Sequence, residues 1–175
     1  MVLTTAFVLA CVAQEETESK KLSTGLELTL PKVWKSVDVK SKLRLAQFTV
    51  GAKTKGLSEA ELVVYYFGEK AVGTVDANID RWVAQFKDAK REDAKIEKLD
   101  EPMEITIVDL SGTYVAETWP GSGKRVNQPD TRMLGAVVTT PKGPHYLKLV
   151  GPEATVGDWE KEFRAMLTTA RFIEK

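Results

Sequence analysis

Residues 132–152, RMLGAVVTTPKGPHYLKLVGP, carry the pattern from which the fold follows. Residues 133–140 are rich in β-branched side chains and hold no charge. Lys142 and Gly143 lie between Pro141 and Pro144, where a ladder cannot continue and a loop is favoured. Residues 145–150 are apolar on both parities, with Leu147 and Leu149 on one face and Tyr146 and Val150 on the other. A strand with one wet face alternates, whereas near-continuous apolarity asks for cover on both faces. Residues 61–67, ELVVYYF, repeat the signal. The pattern predicts a hairpin inside a mainly antiparallel sheet, with at least part of each face covered.

The rest of the chain can be placed around that hairpin. Residues 25–30 set Leu26, Leu28 and Leu30 against Glu27 and Thr29, a half-buried strand stopped by Pro31, with Trp34 at the core edge. Residues 43–50 predict a strand with Leu43, Leu45 and Phe48 as burial candidates and a bulge where their phase slips. Residues 51–58 read as a Lys/Gly-rich hairpin loop. Residues 96–99 and 104–108 read as strands, and residues 109–117 continue the second. Gly112 there marks a bulge or a close approach by another element. Residues 87–98 read as an exposed, charged helix end and loop. Residues 119–131, with Pro120, Gly121, Gly123 and Pro129, read as a loop.

Two helices are predicted. Over residues 74–89, Ile79, Trp82, Val83 and Phe86 fall at i, i+3, i+4 and i+7, with Thr74 or Asp76 as cap. Over residues 155–170, the stripe is Val156, Trp159, Phe163, Met166, Leu167 and Ala170, with Thr155 as N-cap. The fold class is α/β in the α+β sense: an α/β/α sandwich of a twisted, mainly antiparallel sheet and two main helices.

The chain of 175 residues suits one domain. Its 25 basic and 25 acidic residues cancel, leaving no strong field to gather nucleic acid. One cysteine excludes an internal disulfide. Residues 1–13, MVLTTAFVLACVA, carry no charge and are too short for a bilayer, which takes about 20 helical residues. They fit the apolar core of an export signal. Val8-Leu9-Ala10-Cys11 resembles a bacterial lipobox, which makes Cys11 the lipid attachment site. No Lys or Arg precedes the run, which leaves open whether Met1 is the true start. Cleavage after Ala13 into a soluble secreted protein, or a first element of the folded domain, are the rival readings. Residues 14–24 then read as a polar tether and residues 25–175 as the domain. The expectation is an exported protein of the periplasm or cell envelope, touching membrane only through its lipid.

Reactive constellations are scarce. The single histidine, His145, reads as a surface residue at a strand end, since one imidazole makes neither a metal site nor a relay. Gly121-Ser122-Gly123-Lys124 departs from the phosphate-loop pattern at Thr118 and Arg125 and reads as a basic loop. Asp76 and Asp80 are one helical turn apart, which leaves Asp80 either to pair with neighbours of Arg81 or to face water. No metal or cofactor is expected. Trp119, at a loop mouth before Pro120, is a candidate binding anchor if exposed, with Lys124 and Arg125 beside it, and closes the sheet edge if buried.

The ordered set Leu28-Thr29-Leu30-Pro31 with Trp34, Arg81-Trp82, Gln85-Phe86, residues 108–114, Leu134-Gly135-Ala136, residues 147–152 and Arg171-Phe172 resembles small exported bacterial proteins of the PsbP-like fold. The likeness runs from Gly25 to Phe172 and implies an α/β/α sandwich without a family catalytic residue. Members of that fold class are mainly accessory or binding proteins, photosystem subunits and a nuclear-transport factor among them. The resemblance implies a non-catalytic binding or accessory protein; its protein or small-molecule partner is unknown, and a monomer is expected. The alternatives are a small-molecule or hydrolytic site in a groove beside residues 119–131 and a purely structural envelope protein.

Overall fold

The computed structural model describes residues 15–69, 73–117 and 123–174, so Cys11 and Trp119 lie outside the described residues. In chain order these form β1 (Thr17–Lys21), β2 (Leu26–Pro31), β3 (Lys35–Ser36), β4 (Arg44–Val50) and β5 (Ala60–Tyr66). Helix α1 (Val75–Val83) follows, then β6 (Lys95–Leu99), β7 (Ile105–Glu117), β8 (Arg125–Thr140) and β9 (Gly143–Pro152). Helices α2 (Glu153–Asp158) and α3 (Glu160–Thr168) and strand β10 (Arg171–Phe172) close the chain.

The β8–β9 hairpin forms with Thr140 opposite Gly143, so Pro141 and Lys142 are the whole turn. β9 is the middle strand of a seven-stranded antiparallel sheet of order β3-β4-β5-β9-β8-β7-β6. Its two parities are buried on opposite faces, as the apolar run predicts. Leu147 and Leu149 join a core with Leu26, Leu28, Phe163 and Leu167. Tyr146 joins a second core with Ile79, Trp82, Val108 and Met133, and Val150 packs against it. Helix α1 is thus one outer layer. The other is α2 and α3 together with a three-stranded sheet of order β1-β2-β10.

That small sheet corrects the reading of residues 14–24 as a tether. Thr17–Lys21 is a strand, paired with β2 from Thr17 opposite Pro31 to Lys21 opposite Glu27. An edge strand exposed on both sides buries almost nothing of its own, so its hydrophobic pattern is that of a linker.

Four further corrections have physical causes. Leu43 is 53% exposed, because the strand starts at Arg44 and its register slips between Arg44 and Ala46. The first helix, capped as expected by the Thr74 hydroxyl on the Ala77 amide, stops at Val83 rather than Ala89. Phe86 is buried by bridging to Tyr114, and Asp88 has φ +58, which no helix continues through. The closing helix starts at Glu153 and breaks at Trp159, whose indole donates to the Gly51 carbonyl at 2.6 Å. Thr155 is therefore no cap; it is buried, and its hydroxyl donates to the Ser58 carbonyl at 2.8 Å.

Gly135 fixes how α1 meets the sheet. A Cβ there would lie 2.5 Å from Cζ3 and 2.8 Å from Cε3 of Trp82, inside contact distance of a rigid ring. Gly135→Ala is expected to cost about 1–3 kcal/mol by overpacking, read as a lower urea midpoint. An unchanged midpoint would mean that Trp82 is not seated on β8.

On the opposite face, Arg132 closes the gap between sheet and helix. It donates to both carboxylate oxygens of Asp109 at 2.8 Å and to Glu160 on α3 at 2.6 Å. Arg164 joins the same Glu160 at 3.0 Å to Glu97 on β6 at 2.7 Å. The Asp109 and Glu160 hydrogen bonds hold the Arg132 guanidinium far above its ordinary value, against the effect of burial.

Candidate functional site

Beyond Val83 the chain leaves α1 and pairs with a strand. The Val115 amide donates to the Gln85 carbonyl, and the Lys87 amide to the Thr113 carbonyl, each at 2.8 Å. The strand can meet it because β7 and β8 carry a bulge: Gly112 faces Thr131, but Tyr114 faces Gln128. Gly112 has φ +155 and Asp130 φ +49, and Pro129, which has no amide to offer, sits in the irregular stretch. Past this bulge β7 and β8 continue as a two-stranded ribbon of residues 114–117 and 125–128. This corrects the reading of residues 119–131 as a loop, since Arg125 already opens β8.

The ribbon and Gln85 form one wall of a groove, with β5 and β4 opposite. Two lobes of about 620 and 240 Å³ share Tyr65, Gln85 and Lys148. Lys148 lies where they join and is only 8% exposed. Its ammonium donates to Gln85 Oε1 at 3.0 Å and to the Tyr114 hydroxyl at 2.9 Å. The Tyr114 hydroxyl in turn donates to Gln85 Oε1 at 3.3 Å. An ammonium has three N–H groups, so one is unspent. Both of these partners are neutral, and none of the ion pairs among the described residues includes it. Burial pushes the Lys148 amine below its ordinary value, partly opposed by Tyr65 and Glu61. Burial, then Glu61, pushes the Tyr114 phenol up, so it remains a protonated hydrogen-bond donor.

Two arginines flank the lysine. Arg44, on the larger lobe, sits over the Tyr65 ring at 5.7 Å and donates to Gln47 Oε1 at 2.7 Å. Arg81, on the smaller lobe, sits over the Phe67 ring at 5.9 Å and bonds the Asn78 side-chain carbonyl. Each is held by an aromatic face and a neutral amide. The acids on the larger lobe are Glu61, which accepts from Gln47 Nε2 at 2.6 Å, and Glu117.

The sequence-predicted residues divide. Arg125 lines the larger lobe, as does Glu117. Lys124 lies just before β8; Trp119 and Cys11, the residue expected to carry a lipid, are outside the described residues. Gly123 and Lys124 lead into a strand, so the helix start that a phosphate loop requires does not follow them. Asp76 and Asp80 both pair with Arg91 instead of facing water alone. His145 is fully buried rather than at the surface: Thr24 Oγ1 lies 2.8 Å from Nε2, the Gly143 carbonyl 3.2 Å from Nδ1, and the Tyr66 ring stacks at 4.7 Å. Among the described residues no group of three or more His, Cys, Asp or Glu could hold a metal. Lys148, Gln85 and Tyr114 were not singled out by sequence. The available signal was a lysine on the parity of β9 that carries Tyr146 and Val150.

These layers define an α+β sandwich with an open groove at the end of its first helix. The chain matches no family model and no curated protein. It is similar to the solution structure of cyanobacterial PsbP (CyanoP) from Synechocystis sp. PCC 6803, with a TM-score of 0.54. Identity is 15%, over 95% of this chain and 98% of that one. The fold is PsbP-like, an antiparallel α+β sandwich; at that identity the likeness is one of fold.

Proposed function

We propose that the chain is a non-catalytic binding or accessory protein of the cell envelope, exported and tethered by a lipid on Cys11. The groove beside α1 is its recognition surface. Lys148 carries the reading: a buried cation at the groove floor, held by two neutral groups and with a donor to spare. Tyr114 is pushed toward staying protonated, which suits a fixed donor and not a base or nucleophile. Accessory roles are also what the PsbP resemblance implies. No helix among the described residues is long and apolar enough to cross a membrane, so attachment would fall to the lipid. A second reading, a small-molecule or hydrolytic site in the same groove, is favoured by the lobe of about 620 Å³, a size usual for such sites.

A photo-crosslinking residue at position 125, on the groove rim, should trap a partner or ligand in cells. The same residue at position 96, on edge strand β6, should not. Labelling from position 96 and none from 125 would move the recognition surface elsewhere. In the same cells, Cys11→Ser should shift the protein from the membrane fraction to the soluble one. A wild-type protein already soluble and cut after Ala13 would end the tether.

A further inference from the structure

We infer that the groove takes a small organic anion with a planar body, its carboxylate or phosphate set against Lys148 and its ring in the aromatic lobe. This rests on the groove being the recognition surface and names what it recognises.

Charge comes first. Arg44, Arg81, Arg125 and Lys148 line the two lobes against Glu61 and Glu117. The whole chain, with 25 basic and 25 acidic residues, has no such excess. The side chains of Arg44, Arg81 and Lys148 donate to amides or a phenol. Burying a cation among neutral partners is costly, and a fitted anion relieves the cost. Lys148 sits at the junction of the lobes, so an acid group there leaves the rest of the ligand in one lobe or the other.

Shape comes second. The smaller lobe, about 240 Å³, is walled by Tyr65, Phe67, Trp82 and Tyr146. Tyr65 and Phe67 stack at 6.3 Å with planes 11° apart, and Tyr146 lies 5.4 Å from Phe67. Phe67 is 39% exposed, so part of its ring is open to a ligand. Arg81 lies over that ring at 5.9 Å, so cation and aromatic surface meet in this lobe. A flat ring with one acidic substituent satisfies both the stack and Lys148; an acidic peptide side chain satisfies only the second.

The test is amide NMR and calorimetry on the full chain with benzoate, phenyl phosphate, neutral benzamide, saturated cyclohexanecarboxylate and a Glu-rich heptapeptide. Benzoate or phenyl phosphate should shift the Lys148, Gln85 and Tyr114 amides and bind about tenfold or more tightly than benzamide. Which of the two binds more tightly distinguishes a carboxylate from a phosphate ligand. Cyclohexanecarboxylate should bind less tightly than benzoate. Lys148→Met should abolish the preference over benzamide; if that variant does not fold, Arg81→Gln at the surface should still weaken binding of the acids but not of benzamide. Equal binding of benzoate and benzamide, or a preference unchanged in the variants, overturns the inference. Groove shifts with the heptapeptide alone also overturn it while sparing the groove as recognition surface. Crosslinking from position 96 alone would remove that surface itself.

Discussion

Arg132→Met should cost about 3 kcal/mol of folding stability, and adding Asp109→Leu should return most of it. Arg132 and Asp109 have side chains only 15% and 10% exposed and meet through two parallel bonds of 2.8 Å. Removing the guanidinium strands the Asp109 carboxylate under α3, while Glu160 keeps Arg164. Breaking one side of a buried pair costs more than the pair contributes, whereas an apolar replacement of both sides is often neutral. The measurement is urea denaturation of the wild type, both single variants and the double variant. A single-variant loss below about 1 kcal/mol, the range of an exposed pair, would show that water reaches the bridge. A double variant no more stable than Arg132→Met would show that the stranded charge is not the cause.

The central hairpin could be read from residues 132–152 because burial on both faces leaves a direct trace: both parities of β9 are apolar. The strands of lower contrast were harder. β1 is a surface strand whose ladder partner, β2, holds all the hydrophobic information, so Thr17–Lys21 read as a tether. The ribbon end of β8 was hidden by Pro129, which in a strand interior argues against a ladder. It is tolerated here because it falls where the register shifts between Gly112 and Tyr114. Helix periodicity also overreached. Phe86 lands on the apolar stripe of α1 and is buried, yet by a bridge to Tyr114 after the helix has ended.

The site was harder still, for one reason throughout. Lys148, Tyr114 and Gln85 lie on three separate elements, and only the bulge and the exit from α1 bring them together. Arg125 was placed beside the groove by its neighbourhood to Trp119, not by any partner. His145 was misjudged because a single imidazole with no acid beside it in sequence looks inert and exposed. Its hydroxyl partner, Thr24, lies 121 residues away in the turn before β2.

That buried imidazole should make the fold acid-sensitive. Thr24 donates to Nε2 while Nδ1–H donates to the Gly143 carbonyl, a pattern that fits the neutral ring. Burial lowers the His145 value from 6.5 to about 4, against the Gly143 hydrogen bond. As pH falls below 6.5, the unfolded chain takes up a proton that the folded chain refuses. Unfolding is therefore favoured progressively until pH about 4, where the folded ring also protonates. Stability is thus full above pH 6.5 and declines by about 3 kcal/mol down to pH 4. Glu160, held below its ordinary value by Arg132 and Arg164 against the effect of burial, adds its own loss at the acid end. His145→Gln keeps a polar side chain but removes the titration, so the decline between pH 6.5 and 5, above the carboxylate range, should flatten in it. Urea midpoints at half-unit steps give the slope, and the single histidine makes its own NMR titration unambiguous. A ring titrating near 6.5, or the same slope in His145→Gln, would place the acid response in the carboxylates alone.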